Sequence, residues 1–136
     1  MANGIDLKPG EEVLMTDQEH PGVLQPWRLR AKRCGVVVKT VTLPKPVRNA
    51  SQVLNLFNDA IGDRARVIFF SHHHYRDWRR SSRKGTVRWH DRKRPVGRAR
   101  VHVIGMMRLN LQEIGCDMYS SSPHKWLQAP KGSGLL

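Results

Sequence analysis

The stretch GVVVKTVTLPKPVRNASQVLNLFNDAIGDRARVIFF, residues 35–70, decides the fold class of this chain. Residues 35–41 are β-branched and nearly continuously apolar, which is typical of a strand covered on both faces. Apolar side chains between positions 53 and 61 recur with the spacing of an amphipathic helix. Residues 65–70 then form a second, largely apolar strand. Strand, helix and strand joined by short connections predict an α/β fold with parallel pairing.

Further elements are predicted on both sides of this unit. Ser51 is the predicted N-cap of the helix and Gly62 its C-terminal stop. Upstream, residues 12–15 are predicted to form a short buried strand, and residues 28–33 one or two basic helical turns. Downstream, residues 116–119 are predicted to form another strand. The chain therefore continues the α/β pattern at both ends.

Composition limits the class of protein. The 136 residues suffice for one compact domain, and 39% of them are hydrophobic. No apolar run approaches the roughly eighteen residues of a membrane span, and the N-terminus lacks a secretory layout, so we expect a cytoplasmic protein that does not bind membranes. Cys34 and Cys116 are far apart and lack CxxC spacing, so the sequence predicts neither a disulfide framework nor a zinc site.

The net charge of +13 is concentrated in one segment. Residues 76–100 contain eleven Lys or Arg and only two Asp, and their few apolar residues follow neither helical nor strand periodicity. One interpretation is a nucleic-acid-binding module, in which Trp78, Trp89 and the arginines of residues 75–100 stack on bases and neutralise phosphates non-specifically. The histidines at 72–74 could instead bind a transition metal together with His90, although a solvated loop is the commoner role for such histidines.

The motif Ser122-Pro123-His124-Lys125-Trp126, followed by Pro130-Lys131-Gly132-Ser133-Gly134, points to a different function. It resembles the class V aminotransferase family of fold-type I pyridoxal-phosphate enzymes, in particular its isopenicillin-N-epimerase-like and cysteine-desulfurase-like members. The resemblance extends over residues 7–27, 35–72 and 102–136.

The resemblance implies both a fold and an activity. It implies an α/β fragment of the fold-type I large domain, a mainly parallel sheet with flanking helices, in which residues 1–72 and 102–136 belong to the domain that binds pyridoxal 5'-phosphate. Residues 73–101 are a basic segment without the family's pattern. The implied substrate is an amino acid, and the implied reaction is transamination, epimerisation or lyase chemistry. A homodimer is expected for the full enzyme.

Four residues near the end of the chain match the family's lysine segment. By resemblance, Lys125 forms the Schiff base with the cofactor aldehyde, a role that needs an amine which loses its proton readily, as burial beside an apolar wall promotes. Ser122 and His124 match the positions that contact the cofactor phosphate, for which hydroxyl and imidazole donors are suited. Trp126 is expected to pack beneath them.

Two histidines complete the implied site. His20, directly after Glu19, matches the family's histidine that stacks on the cofactor ring, where it can also transfer protons. His102 matches the position that hydrogen-bonds the phenolic oxygen of the ring. The candidate catalytic residues are therefore Lys125 and His20, and no metal is implied.

The sequence also departs from the family. An aspartate that keeps the cofactor's pyridine nitrogen protonated is expected three residues before His102, where this chain has Ala99. The family's phosphate loop would precede residue 1, and its C-terminal domain would follow residue 136. We therefore expect the chain as it stands to be inactive. Two compensating frame changes in the coding sequence, near residues 73 and 101, would explain the segment between them, and resequencing the locus tests this hypothesis.

Overall fold

The computed structural model describes residues 2–69, 71, 97–101, 104–105, 108–114 and 116–135. The elements in chain order are a short 3-10 helix at Ala2–Gly4, β1 at Glu12–Thr16, α1 at Pro21–Cys34, β2 at Val37–Val41, α2 at Ala50–Ala60, β3 at Ala65–Phe69, β4 at Gly97–Val101, α3 at Leu111–Ile114 and β5 at Met118–Ser120. Strands and helices alternate through the first half of the chain, as the sequence predicts.

The five strands form one parallel sheet in the order β2-β1-β3-β4-β5. Val13 of β1 lies opposite Val38 of β2 on one side and Val67 of β3 on the other. Phe69 of β3 pairs with Ala99 of β4, which pairs in turn with Met118 of β5. The predicted α/β class with parallel pairing is confirmed.

Strands β1 and β3 are covered on both faces, because successive side chains of a strand point to opposite faces. Strand β2, at one end of the strand order, is mostly exposed apart from Val41, so the expectation that it is covered on both faces is wrong. Val13, Met15, Val67 and Phe69 pack on one face with Trp27 of α1. Leu14 and Ile68 pack on the opposite face with Val53 and Phe57 of α2. Burial on both faces explains why β1 and β3 read as continuous apolar runs rather than as alternating ones.

Helix α1 is longer than the sequence predicted. The expected helical turns at residues 28–33 are confirmed but are only part of the helix, which already begins at Pro21. Pro26 lies inside it and obscured the pattern, because proline removes a helical hydrogen bond. The helix ends at Gly35, whose backbone N–H donates to Ala31 from the left-handed conformation at φ 69°.

Asn49, and not Ser51, is the N-cap of α2. The Asn49 side chain accepts a hydrogen bond from the backbone N–H of Gln52 at 2.9 Å, and the Gln52 side chain accepts one from the backbone N–H of Arg48 at 3.1 Å. The prediction of Ser51 was wrong because it began from the first apolar residue of the helix. The Asn49-to-Gln52 spacing is that of a capping box.

We expect Asn49→Ala to lower the free energy of unfolding by about 1 kcal/mol, because the Gln52 N–H loses its side-chain acceptor. Ser51→Ala is the matched control, since Ser51 is an exposed residue within the helix, and its effect should stay within about 0.5 kcal/mol. Urea unfolding monitored by circular dichroism measures both. Equal effects of the two variants would contradict the assignment of the cap.

Strand β4 lies within the segment for which the sequence predicts no regular element. Its residues, Gly97-Arg98-Ala99-Arg100-Val101, alternate small or apolar with charged side chains and lack a continuous apolar run. Backbone pairing with β3 and β5 defines the strand. A short strand held by two neighbours therefore needs little apolar signal of its own.

Two ion pairs lie at the amino end of β1. Glu11 bonds Arg66 at 2.8 Å, and the buried Glu12 bonds Arg64 at 3.1 Å. The pKa of the Glu11 carboxyl is lowered, chiefly because the backbone N–H of Lys8 donates to it at 2.9 Å, with Arg66 as a further cause. These charges stand at the edge of the sheet opposite to the carboxyl ends of the strands.

Within the described ranges, none of the helices has the length and apolar character needed to cross a membrane.

Candidate functional site

The predicted site residues follow the carboxyl ends of parallel strands. His20 comes shortly after β1, and Ser122, His124 and Lys125 come after β5. Because all strands run in the same direction, these loops meet at one edge of the sheet, where open α/β sheets bind their ligands. Strands β3 and β4 separate β1 from β5, so the two loops start roughly 14 Å apart at the usual strand spacing. His102 directly follows β4 in sequence but lies outside the described residues.

His20 is the N-cap of α1. Its backbone is extended, with φ −64° and ψ 140°, and its Nδ1 accepts a hydrogen bond from the backbone N–H of Gly22 at 3.0 Å. An acceptor at Nδ1 needs a free lone pair there, so the neutral ring carries its proton on Nε2. The ring is exposed. His20 can therefore present a ring face and an Nε2–H donor to a ligand at this edge.

Glu19, the residue before His20, is buried and accepts three hydrogen bonds. Its Oε1 accepts from the Thr16 hydroxyl at 2.8 Å and from the Ser71 backbone N–H at 3.0 Å, while its Oε2 accepts from the Ser71 hydroxyl at 2.5 Å. Thr16 ends β1, and Ser71 lies two residues beyond β3. The carboxylate thus joins the carboxyl ends of two neighbouring strands.

The same loop is attached to β2 through Asp17. The Asp17 carboxylate accepts from the backbone N–H of Leu43 at 3.0 Å, and the Asp17 backbone N–H donates to Val41 at 3.1 Å. Sequence reasoning assigned no role to Asp17, Glu19 or Ser71. The relevant signal, polar residues just beyond adjacent strand ends, is recognisable only once the order of the strands is known.

The residues from Ser121 to Leu135, here called the lysine loop, are closed at their base. Ser121 and Leu135 exchange two backbone hydrogen bonds, at 3.1 and 3.0 Å. Within the loop, the Lys125 N–H donates to the Ser122 carbonyl at 3.1 Å and forms a tight turn. The backbone that carries the lysine is therefore defined by local hydrogen bonds.

The side chains of the lysine loop are more open than the sequence predicted. His124 and Lys125 are exposed, and Ser122 is half-buried. Trp126 is 53% exposed, so the expectation that it packs beneath the site is wrong. The apolar wall expected around Lys125 is not formed by the part of the chain that the structure describes.

Gly105, in the turn that follows β4, allows that turn to contact the lysine loop closely. Its φ is 83°, and a Cβ at this position would lie 2.9 Å from Leu127 Cδ2 and 3.2 Å from the Trp126 carbonyl carbon. Only glycine permits both this conformation and this close approach. The β4 turn therefore lies directly against the residues that follow Lys125.

Gly105→Ala is expected to displace Trp126 and Leu127, and Lys125 with them. The positive φ alone should cost about 1–2 kcal/mol, and the contact with the backbone of Trp126 adds to that. Gly10→Ala is the matched control, because Gly10 has nearly the same φ, 82°, with nothing within 4 Å of the added Cβ. Thermal unfolding should show a clearly larger loss for Gly105→Ala. Equal losses would contradict the close packing of the lysine loop.

These side chains match the chemistry of pyridoxal phosphate in part. An amine at Lys125, a hydroxyl at Ser122, an imidazole at His124 and a ring at His20 suit an aldehyde, a phosphate and an aromatic ring. Position 99, within β4, supplies no carboxylate for the pyridine nitrogen, because it is alanine. Among the described residues no group of three or more His, Cys, Asp or Glu could bind a metal ion. The histidines at 72–74 and His90 lie outside those residues.

Comparison with known proteins gives consistent matches over nearly the whole chain. The family model described as Aminotransferase class-V matches residues 1–136. Isopenicillin N epimerase of Amycolatopsis lactamdurans is 34% identical over an alignment of 139 residues, which covers 96% of this chain and 33% of that protein. The Streptomyces clavuligerus isopenicillin N epimerase is 31% identical over an alignment of 144 residues, which covers 100% of this chain and 34% of that protein. This chain thus spans about a third of the length of these relatives.

Solved structures show the same fold. The cystine C-S lyase C-DES, in complex with its product cysteine persulfide, superposes with a TM-score of 0.76 at 22% identity, covering 98% of this chain and 36% of that one. The cysteine desulfurase CsdA of Escherichia coli superposes with a TM-score of 0.63 at 21% identity, covering 94% of this chain and 31% of that one. At these identities the likeness establishes the fold, which is shared over nearly the whole of this chain.

Proposed function

Because this chain belongs to the aminotransferase class-V family, we propose that it is part of a pyridoxal-phosphate enzyme that acts on amino acids, with Lys125 as the residue that binds the cofactor. The observation that carries the proposal is the position of the lysine loop. It follows β5 at the same sheet edge to which Glu19 and Asp17 attach the His20 loop. A cofactor between these two loops would lie over the ends of β3 and β4.

Each residue has a distinct proposed role. Lys125 provides the amine that bonds covalently to the cofactor aldehyde. Ser122 and His124, close to it in the lysine loop, provide donors to the phosphate. His20 provides a flat ring to cover the cofactor, and its Nε2–H is the site at which a proton could be held. When bound, pyridoxal phosphate supplies an electron sink for bonds at the substrate's α-carbon.

The reaction of the whole protein is proposed only at the level of its class. Relatives of this chain carry the names isopenicillin N epimerase and probable cysteine desulfurase, and C-DES is named as a cystine C-S lyase. Transamination, epimerisation and lyase chemistry all fit the residues present. We propose that the whole protein is a homodimer. We further propose that the chain as it stands is inactive, because Ala99 provides no carboxylate to keep the cofactor's pyridine nitrogen protonated.

The test is to titrate the purified chain with pyridoxal phosphate, reduce the mixture with borohydride, and digest it. Mass spectrometry should find the reduced pyridoxyl group on the peptide that contains Lys125. Modification spread over many lysines in proportion to their exposure would contradict a specific site. Binding to random DNA that weakens with salt, without a pyridoxyl-labelled Lys125, would favour the nucleic-acid-binding module instead.

A further inference from the structure

We propose that Glu19 is a positioning residue for His20, acting through the hydrogen bonds that its buried carboxylate accepts from Thr16 and Ser71. The proposal rests on the function proposed above, since it concerns how the histidine is presented to the cofactor. Glu19 itself is almost fully enclosed, with 9% exposure, so it acts through its neighbours.

The carboxylate is bound at both oxygens. A buried carboxylate is stable only where donors replace its lost water, and Glu19 has three donors from two residues. Thr16 and Ser71 are themselves 3% and 4% exposed, so water competes poorly for these bonds. The loop after β1 is therefore held firmly to the end of β3.

The anchoring continues directly into His20. His20 follows Glu19 by one peptide bond, and its own Nδ1 bonds Gly22 at the start of α1. Asp17 anchors the other end of the loop to Leu43, beyond β2. With one anchor on each neighbouring strand, residues 17–20 have few alternative conformations. Loss of the Glu19 anchor would release the side of the loop that carries the histidine.

Two substitutions of Glu19 distinguish a role of its hydrogen bonds from a role of its negative charge. In Glu19→Gln, the side-chain oxygen can still accept from Thr16 and from the Ser71 N–H, and the new amide can donate to the Ser71 hydroxyl, which then acts as the acceptor. All three contacts survive while the negative charge is lost. Glu19→Ala removes all three. If Glu19 positions His20 through these hydrogen bonds, Glu19→Gln should keep the position of the His20 ring and Glu19→Ala should lose it.

The first measurement follows the ring of His20 without any cofactor. In the ¹⁵N-labelled 136-residue chain, the signals of His20 are assigned by their loss in His20→Gln. With the ring neutral, we expect two distinct ring-nitrogen signals, one from the acceptor Nδ1 and one from the protonated Nε2. Glu19→Gln should retain both signals. In Glu19→Ala we expect the two signals to move towards each other, because a released ring exchanges tautomers.

Glu12 provides the matched control. It is a buried glutamate, 7% exposed, at the start of β1, and it bonds Arg64 at the opposite edge of the sheet. Glu12→Ala should lower the thermal midpoint as a buried substitution does, yet leave the His20 signals unchanged. If Glu19→Ala fails to fold, Ser71→Ala and Thr16→Val each remove one hydroxyl donor and should shift the His20 signals partway.

The second measurement is the dissociation constant of pyridoxal phosphate. We expect it to rise about tenfold or more in Glu19→Ala and to change little in Glu19→Gln or Glu12→Ala, since removing buried charged hydrogen bonds misplaces the ring. Unchanged His20 signals in Glu19→Ala, or glutamine behaving as alanine does, would overturn the proposal. If neither the parent chain nor any variant binds the cofactor, the proposed function fails. The His20 signals then still decide whether Glu19 positions the ring.

Discussion

Replacing Lys125 with alanine is expected to abolish covalent attachment of pyridoxal phosphate to this chain. The cofactor aldehyde can bond stably only to an amine, and Lys125 is the amine that the lysine loop places at the carboxyl edge of the sheet, close to Ser122 and His124. The measurement is the fraction of chain that carries a pyridoxyl group after borohydride reduction. It should fall to the background of random lysine labelling.

Lys131 supplies the matched control for this prediction. It lies in the same lysine loop, between Pro130 and Gly132, and is exposed as Lys125 is. Lys131→Ala should therefore leave the labelling of Lys125 intact. If Lys125→Ala and Lys131→Ala carry the pyridoxyl group to the same extent, exposure alone selects the lysine. The proposed site would then be wrong.

Trp27→Ala is expected to lower the free energy of unfolding by about 3–5 kcal/mol, enough to unfold much of a marginally stable domain. Trp27 is 2% exposed and connects α1 to the cluster formed by Val13, Met15 and Val67. Its removal leaves a cavity between the helix and the sheet. Urea unfolding, monitored by circular dichroism, measures the loss.

Leu29→Ala is the matched control, because Leu29 is on the same helix but 46% exposed. Its effect should stay within about 0.5 kcal/mol. Trp27→Ala should also broaden the ring signals of His20, since that residue is the N-cap of the helix that Trp27 holds to the sheet. If Trp27→Ala remains stable and its His20 ring signals are unchanged, then the packing of α1 on the sheet does not support the site.

The fold class could be predicted because its signals are local. Strands β1, β2 and β3 are each largely apolar or β-branched, and α2 carries the 3.6-residue pattern, so each element can be recognised within a few residues. The family could be predicted for a related reason. The residues around Lys125 follow one another directly in the chain, and their order is itself the motif.

Elements without a local signal were missed or misplaced. Pro26 interrupts the pattern of α1. The N-cap of α2 was predicted at Ser51 rather than at Asn49, because the prediction placed the cap next to the first apolar residues of the helix. Strand β4 consists of alternating small or apolar and charged residues, and becomes a strand only through pairing with β3 and β5. Pairing between distant segments is a property of the assembled sheet and is absent from the local pattern.

The sequence by itself thus determined the parallel α/β class, the Lys125 motif and the two residues, Ser122 and His124, that accompany it. Only the tertiary structure decided that Glu19 joins the ends of β1 and β3, that His20 uses Nδ1 as the cap of α1, and that Gly105 contacts the lysine loop. The physical reason is sequence separation. Glu19 and Ser71 are 52 residues apart, and a hydrogen bond between them exists only after the order and register of the strands have brought both ends to one edge.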